Sequence, residues 1–277
     1  MHVTIRNFHF AYRNTPVFEG VNLNFEKGFL YGILGKNGTG KSTLLYSMAG
    51  LLFPKKGEVK VSGFNPMYRE PNFLQSIFLV PEEFYLPDIS IPEFVKIHSP
   101  FYPKFSEDMF HSYLKTFDVP AHTLLKMSYG QKKKALISFA FASGVSLLLM
   151  DEPTNGLDII SKSQFRKTIA GAVDSGRTIV ISSHQVQDLS QLIDHLIILD
   201  QTEVILQQSI RSISEKLIFK ISNDAEEIAN AYYGEPVLGG QALVLPNLLG
   251  DETNIDLELL YKSVMNNPRA IQYALTE

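Results

Sequence analysis

Residues 35–42 read GKNGTGKS, which fits the pattern G-x4-G-K-[S/T] of a phosphate-binding loop. An apolar run, Phe29–Leu34, precedes this segment, and the helix-forming stretch Lys41–Leu52 follows it. Glycines let consecutive backbone N–H groups turn towards phosphate oxygens, and the start of a helix adds a partial positive charge. The Lys41 ammonium can then reach the β- and γ-phosphates, and the Ser42 hydroxyl can bind Mg²⁺. The segment therefore predicts a phosphate-binding site, with a glycine-rich structural turn as the alternative.

A second candidate site follows an apolar run later in the chain. Leu147–Met150 is directly followed by Asp151 and Glu152. An acid at a strand end can hold Mg²⁺ through water, as Asp151 would beside a phosphate loop. Glu152 would then lie beside the γ-phosphate and could polarise the attacking water. Without the phosphate loop, a solvated loop would explain the two acids equally well.

The distribution of apolar residues predicts an α/β fold. Continuous apolar runs are typical of parallel strands covered on both faces. Such runs occur at Leu147–Met150, Thr178–Ser182 and Leu196–Leu199. An early segment from Val3 to Phe8 and the alternating Pro16–Phe25 predict a small antiparallel sheet, and residues 88–145 are mainly helical in pattern.

The pattern changes after about Ser209. Leu217–Ile221 is predicted as a strand and Ala225–Tyr232 as a helix, while Gly239-Gly240 marks a hairpin turn. Asp256–Met265 is predicted as a helix that the following Asn-Asn-Pro ends. We interpret residues 211–277 as a small α/β accessory region that contributes packing or a dimer contact.

Composition excludes several classes of protein. The 277 residues carry 25 Lys and Arg against 29 Asp and Glu, a net charge of −4, so general nucleic-acid binding is not expected. With no Cys, the chain has no disulfides, thiolate metal sites or cysteine nucleophiles. The N-terminus does not predict a signal peptide. The most apolar stretch, Ala135–Met150, is shorter than the roughly 20 residues of a membrane-spanning helix.

Several motifs in a fixed order resemble those of one family. Residues 127–131 (MSYGQ) resemble the signature L-S-G-G-Q of ABC transporter ATPases, and residues 151–158 (DEPTNGLD) resemble the Walker B motif and D-loop of that family. Ser182-Ser183-His184 resembles the segment that carries its switch histidine. Tyr12 lies where the family stacks an aromatic ring on adenine. Across roughly residues 1–210, the chain resembles the nucleotide-binding subunit of ABC transporters.

The resemblance implies a P-loop NTPase fold and a set of site residues. The fold would combine a core with a mainly parallel sheet, an N-terminal antiparallel β subdomain and a helical signature subdomain at about residues 85–145. Residues 1–210 would form the ATPase domain. ATP would be held by Tyr12, Gly35, Lys36, Asn37, Gly38, Thr39, Gly40, Lys41, Ser42 and Thr43. Mg²⁺ would be held by Ser42, Asp151 and Glu82.

Further roles follow from the family's ATP-bound dimer. The signature residues Ser128, Tyr129, Gly130 and Gln131 would contact the ATP bound to a second copy, since a helix N-terminus attracts an anion. His184 would contact the γ-phosphate and help to orient Glu152 and the attacking water, which makes these two the predicted catalytic residues. Asp158 would organise the dimer interface.

Two residues depart from the family pattern, and a lysine triplet lies outside it. Tyr129 replaces the first signature glycine, but Gly130 keeps the position closest to phosphate, so the site is expected to survive. Glu82, in Val80-Pro81-Glu82, stands where the family usually has Gln; it can still bind Mg²⁺ but adds negative charge near phosphates. The triplet Lys132-Lys133-Lys134 predicts a solvated helix face.

The resemblance implies an ATP-hydrolysing subunit of an ABC transporter. MgATP would join two copies, identical or homologous, head to tail, and hydrolysis would separate them. A separate transmembrane permease would be the partner, which would place the chain in the cytoplasm on the inner face of the cell membrane. The Pro-Glu-Glu form at residues 81–83 favours the subset that works with export-type permeases. The alternatives are a soluble ABC-type ATPase that is not coupled to transport and a non-catalytic nucleotide-binding regulator.

Overall fold

The computed structural model describes residues 2–120, 123–173, 176–250 and 252–276. Its strands form three sheets. In chain order they are β1 Val3–Tyr12, β2 Thr15–Phe25, β3 Leu30–Leu34, β4 Lys56–Val61, β5 Ile77–Val80, β6 Leu147–Asp151, β7 Thr178–Ser183, β8 His195–Asp200, β9 Glu203–Ser209, β10 Leu217–Ser222, β11 Tyr233–Val237 and β12 Gly240–Pro246.

The central sheet has the order β5-β6-β7-β3-β8-β9. Its strands run parallel except for β9, which pairs antiparallel with β8 and was not predicted. Every residue of β3, β6 and β7 is buried, which explains why these strands appear in the sequence as continuous apolar runs. The N-terminal sheet, β2-β1-β4, is antiparallel. The predicted fold class is therefore confirmed.

Helices cover the sheets and form the region between β5 and β6. They are α1 Lys41–Met48, α2 Pro71–Leu74, α3 Ile91–His98, α4 Glu107–Thr116, α5 Tyr129–Ala142, α6 Ile159–Val173, α7 Val186–Leu189, α8 Ile210–Lys216, α9 Ala225–Asn230, α10 Leu257–Asn266 and α11 Pro268–Thr276. Single 3₁₀ turns lie at Pro66–Tyr68, Ser99–Phe101 and Leu124–Lys126. No helix in the described part of the chain is long and apolar enough to cross a membrane.

Helix boundaries show two differences from the sequence prediction. Helix α1 ends at Met48 rather than at Leu52, because Gly50 adopts a left-handed conformation with φ of 69°. The predicted stop after α10 is correct, but Pro268 also begins a second helix, α11. Proline suits the first position of a helix because its N–H would have no partner there.

The C-terminal region, residues 211–277, packs onto the rest of the chain instead of forming a separate core. The third sheet, β10-β12-β11, contains the predicted hairpin at Gly239-Gly240. Leu260 of α10 and Ile271 of α11 are fully buried and belong to the same apolar cluster as Leu196 and Ile198 of β8. The predicted division at residue 210 falls at the start of α8, where apolar packing is continuous across the boundary.

Candidate functional site

The glycine-rich loop joins the end of β3 to the start of α1. Gly38 and Gly40 have φ angles of 86° and 96°, which other residues rarely adopt. At position 40, a Cβ atom would also lie only 2.6 Å from Cζ of Phe18. The Thr39 hydroxyl donates a hydrogen bond to the Lys36 carbonyl oxygen at 2.9 Å, which closes the turn. The loop therefore has a fixed shape that leads directly into a helix N-terminus.

Lys41, at the first position of α1, is 6% exposed. Its Nζ donates to the carbonyl oxygens of Gly35 at 2.8 Å and Lys36 at 3.2 Å, and it lies 3.7 Å from Oε1 of Glu152. Burial lowers the pKa of Lys41, while the nearby carboxylates of Glu152, Asp151 and Glu82 oppose that shift. The ammonium group is thus held inside the loop, next to the acidic end of β6.

Glu152 follows β6 and is 3% exposed. Its Oε1 lies 2.9 Å from Nδ1 of His184, whereas its Oε2 is buried and has no hydrogen-bond partner in the described part of the chain. The backbone N–H of Glu152 donates to the Ser182 hydroxyl oxygen at 3.1 Å, and that hydroxyl donates to Oδ1 of Asp151 at 2.6 Å. The strand ends thus bring the three predicted residues Asp151, Glu152 and His184 together and leave one carboxylate oxygen with free acceptor capacity.

A cavity of about 430 Å³ lies between the glycine-rich loop and these acids. Its lining includes Asn37, Gly38, Gly40, Lys41, Ser42, Thr43, Glu82, Glu152 and Tyr12. The Tyr12 ring is 51% exposed at the end of β1, and its hydroxyl lies 3.2 Å from Oγ1 of Thr43. The Tyr12 ring thus lies at the edge of the cavity, and its stacking on adenine stays a prediction.

The predicted Mg²⁺ ligands are compatible with that ion. Ser42 and Glu82 line the cavity, and Asp151 lies at the adjoining strand end. Within the described residues, no group of three or more His, Asp or Glu side chains could hold a metal ion. Mg²⁺ is usually held by one or two carboxylates together with water and substrate phosphates. This donor set therefore fits an ion that arrives with a nucleotide.

The signature segment forms the N-terminus of α5. Ser128 is the N-cap: its hydroxyl oxygen accepts from the Gln131 N–H at 3.3 Å, and Oε1 of Gln131 accepts from the Ser128 N–H at 2.9 Å. This capping box fixes the first turn of the helix. Gly130 also lies in that turn, where a Cβ atom would lie 2.8 Å from the Gly156 carbonyl oxygen. The lining residues of the cavity do not include this segment, and its contact with ATP bound to a second copy stays a prediction.

Tyr129, the departure from the signature glycine, makes contacts that glycine could not make. Its hydroxyl donates to the carbonyl oxygen of Glu82, and its ring stacks on Phe84 with centroids 5.1 Å apart. The Glu82 side chain is held separately, since its Oε1 accepts from Nδ2 of Asn155 at 3.0 Å. Tyr129 and Glu82, the two departures from the family pattern, are therefore in direct contact.

The Asp158 side chain forms hydrogen bonds at the start of α6. Its carboxylate accepts from the backbone N–H of Ser161 at 2.8 Å and from the Ser161 hydroxyl at 2.7 Å. These hydrogen bonds hold the pKa of Asp158 well below its usual value, with a smaller contribution from Lys134. The side chain thus stabilises the start of α6, and its role in a dimer interface stays a prediction.

Lys133 contradicts the prediction of a solvated lysine face. The residue is 0% exposed, and its Nζ donates to the carbonyl oxygens of Glu152 at 2.7 Å and Asn155 at 3.1 Å. Residues 137 and 140, also fully buried, lie on the same face of α5 at helical spacing. That spacing is the signal in the sequence that could have identified Lys133 as an inward-facing residue.

Comparison with known proteins shows which family the chain belongs to. The ABC transporter family matches residues 18–155. The cobalt import ATP-binding protein CbiO of Salmonella typhimurium is 31% identical over 217 residues, which cover 71% of this chain and 76% of CbiO. The chain belongs to the ABC transporter ATP-binding family. Proteins of this family bind ATP and hydrolyse it to drive transport, and this ABC ATPase subunit is therefore an ATPase.

Two further similarities agree with this assignment. The SkfA peptide export ATP-binding protein SkfE of Bacillus subtilis is 27% identical over 202 residues, which cover 70% of this ABC ATPase subunit and 84% of SkfE. A solved structure of an ABC transporter ATP-binding subunit superimposes with a TM-score of 0.70 at 22% identity, covering 77% of this chain and 92% of that chain. The structural match shows the shared fold.

Proposed function

We propose that this ABC ATPase subunit drives a separate membrane permease through MgATP-dependent dimerisation and hydrolysis, with Glu152 as the general base. The observation that carries this proposal is the buried Glu152 carboxylate in the cavity lining, which His184 holds through Oε1 and whose Oε2 has no hydrogen-bond partner among the described residues. A free carboxylate oxygen in a site shielded from bulk water can accept a proton from an attacking water molecule.

The residues of the cavity then have separate tasks. Lys41 lies on the loop and turns its ammonium group from Glu152 to the β- and γ-phosphates when a nucleotide binds. Ser42, Asp151 and Glu82 would hold Mg²⁺, which would neutralise negative charge on the phosphates. His184 keeps the Glu152 carboxylate oriented from its position 2.9 Å away. Tyr12 stacks on the adenine ring.

The second part of the site comes from another copy of the chain or from a homologous subunit. Ser128 and Gly130 lie at the N-terminus of α5, where unpaired backbone N–H groups and the helix dipole attract an anion. In a head-to-tail dimer these residues contact the γ-phosphate held by the partner's loop. Loss of that phosphate removes the shared ligand, so the two copies separate.

A dimerisation experiment tests this arrangement. We expect a non-hydrolysable ATP analogue with Mg²⁺ to convert the purified chain from monomer to dimer, measured by light scattering, and EDTA to reverse the change. Ser128→Arg should block dimerisation, because a long cation at the helix start would exclude the partner. It should leave analogue affinity in the monomer within about twofold of the parent, since Ser128 lies outside the cavity. Equal dimerisation by Ser128→Arg and the parent would contradict the proposed interface.

The permease partner is proposed to bind an apolar groove between the core and the helical region. The groove has a volume of about 440 Å³ and is lined in part by Leu74, Leu79 and Phe101. Phe101 is 64% exposed although it is aromatic, as expected for a residue that a partner covers. The groove lies between β5 and the turn at Ser99–Phe101, so a partner seated there would sense movement of the helical region.

Capture of membrane proteins tests the groove. We expect the tagged parent chain to retain a permease from detergent-solubilised membranes of the cells that produce it. Leu74→Glu should reduce that retention by about tenfold or more, because it buries a charge in an apolar interface. Leu238→Glu, at a fully exposed hairpin tip, serves as the control. Retention by Leu74→Glu equal to that by Leu238→Glu would exclude this groove, and no retained membrane protein would favour an ATPase that is not coupled to transport.

Export is the direction we propose, with the subunit on the cytoplasmic face of the membrane. The Pro-Glu-Glu form at residues 81–83 resembles that of subunits paired with export-type permeases. The similarity to SkfE, whose name refers to peptide export, supports the same direction, while CbiO is named for cobalt import. Reconstitution of the captured permease in vesicles would show which way its substrate moves.

A further inference from the structure

The buried amino group of Lys133 has no role in the function proposed so far. The side chain is 0% exposed and makes no ion pair with any residue in the described part of the chain. Burying an ammonium group costs free energy unless its protons find acceptors. Its acceptors here are two backbone carbonyls, those of Glu152 at 2.7 Å and Asn155 at 3.1 Å.

The first of these carbonyls belongs to a residue with an unusual backbone. Glu152 has a φ of 45°, a left-handed conformation that costs a non-glycine residue on the order of 1 kcal/mol or more. It also precedes Pro153, which further restricts its backbone. Such a conformation persists only where surrounding contacts hold it. Lys133 provides one of these contacts, because its Nζ binds the carbonyl oxygen of Glu152.

Two carbonyl oxygens, three carboxylates and an aromatic ring surround the Lys133 amino group. Burial lowers the pKa of Lys133, whereas the nearby carboxylates of Glu82, Glu152 and Asp151 oppose that shift. The Tyr129 ring lies 5.9 Å from its Nζ, within the range of a cation–π contact. An ammonium group surrounded by acids, carbonyls and an aromatic face can bind both carbonyls at once.

We propose that Lys133 is a positioning residue for Glu152: it fixes the left-handed backbone of Glu152 and thereby the aim of the carboxylate into the cavity. This proposal rests on the catalytic role of Glu152 proposed above. Lys133 lies in α5, five residues beyond Ser128, which caps the N-terminus of that helix. The same helix therefore presents its N-terminus to the second copy and holds the catalytic segment of its own chain.

A matched pair of variants tests the hydrogen bonds of Lys133. Methionine and glutamine have similar lengths, but only glutamine can donate to a carbonyl. We expect Lys133→Met to lower kcat about tenfold, because a small misplacement of a catalytic group slows the chemical step, with the KM for ATP unchanged. Lys133→Gln, which is shorter than lysine and reaches one carbonyl, should lower kcat only about threefold. Lys132→Met, at the neighbouring and partly exposed position, should behave as the parent.

Parent-like kcat in the methionine variant would overturn the proposal. Thermal unfolding of each variant shows whether it is folded. If the Lys133→Met variant does not fold, the kcat of Lys133→Gln tests the proposal instead. In that case a glutamine variant with the parent's kcat and melting temperature would overturn the proposal.

A double variant separates positioning from general structural damage. If Lys133 acts through the Glu152 carboxylate, Lys133→Met should have no further effect once Glu152 is already glutamine. We therefore expect Glu152→Gln and Glu152→Gln/Lys133→Met to share the same slow single-turnover rate. A further tenfold loss in the double variant would show that Lys133 acts independently of Glu152. Fast turnover by Glu152→Gln alone would instead contradict the proposed function, so the two failures are distinguishable.

Discussion

The Glu152→Gln variant is expected to hydrolyse ATP at least about 1,000-fold more slowly than the parent, while binding ATP with similar affinity. Glutamine has nearly the shape of glutamate, so its Oε1 can still accept a hydrogen bond from His184, which lies 2.9 Å from Oε1 of Glu152. It cannot take a proton from water. The buried Oε2 has no hydrogen-bond partner among the described residues, so this substitution replaces a free acceptor oxygen by an amide nitrogen that donates.

Phosphate release and nucleotide binding should be measured on the same preparation. Glu83→Gln is the matched control, since Glu83 is exposed and does not line the cavity. It should retain the parent's kcat. Turnover by Glu152→Gln within about threefold of the parent would assign the general base to another group. Loss of ATP binding together with turnover would instead show that the carboxylate supports the phosphate loop.

The glycine-rich loop could be predicted from the sequence because its structure is local. The φ angles at Gly38 and Gly40 follow from residues within a single turn, and the apolar runs of β6 and β7 follow from burial on both faces. Parallel strands bring their carboxyl ends to one edge of a sheet. For this reason Asp151, at the end of β6, and His184, directly after β7, could both be assigned to the site from the sequence.

The contacts of α5 could not be predicted in the same way. Tyr129 and Lys133 bind carbonyls of residues that are distant in the chain, and any residue can supply a carbonyl, so no sequence pattern marks the acceptor. The lysine triplet predicts exposure, yet helical periodicity turns its middle member towards the core.

Strand β9 was missed for a different reason: its partly buried residues do not form a continuous apolar run.

Replacing Lys41 by alanine is expected to weaken ATP binding about 100-fold and to lower kcat by a further factor of about 100. The lysine Nζ lies between the Gly35 carbonyl oxygen and the Glu152 carboxylate, at 2.8 Å and 3.7 Å, in a site that is almost closed to solvent. Among the described residues that line the cavity, Lys41 is the buried cation. Its removal also leaves Glu152 buried without that cation, which would increase repulsion of the phosphates.

Lys36→Ala provides the matched control for Lys41→Ala. Lys36 belongs to the same loop but is exposed, and its contact with Lys41 uses only its backbone carbonyl. We expect its substitution to change ATP affinity less than about threefold, because exposed charges interact weakly. Equilibrium binding of a fluorescent ATP analogue and thermal unfolding should be compared for both variants. Equal affinities for Lys41→Ala and Lys36→Ala would exclude Lys41 as the phosphate ligand, because the two lysines differ mainly in whether the ammonium is held inside the loop.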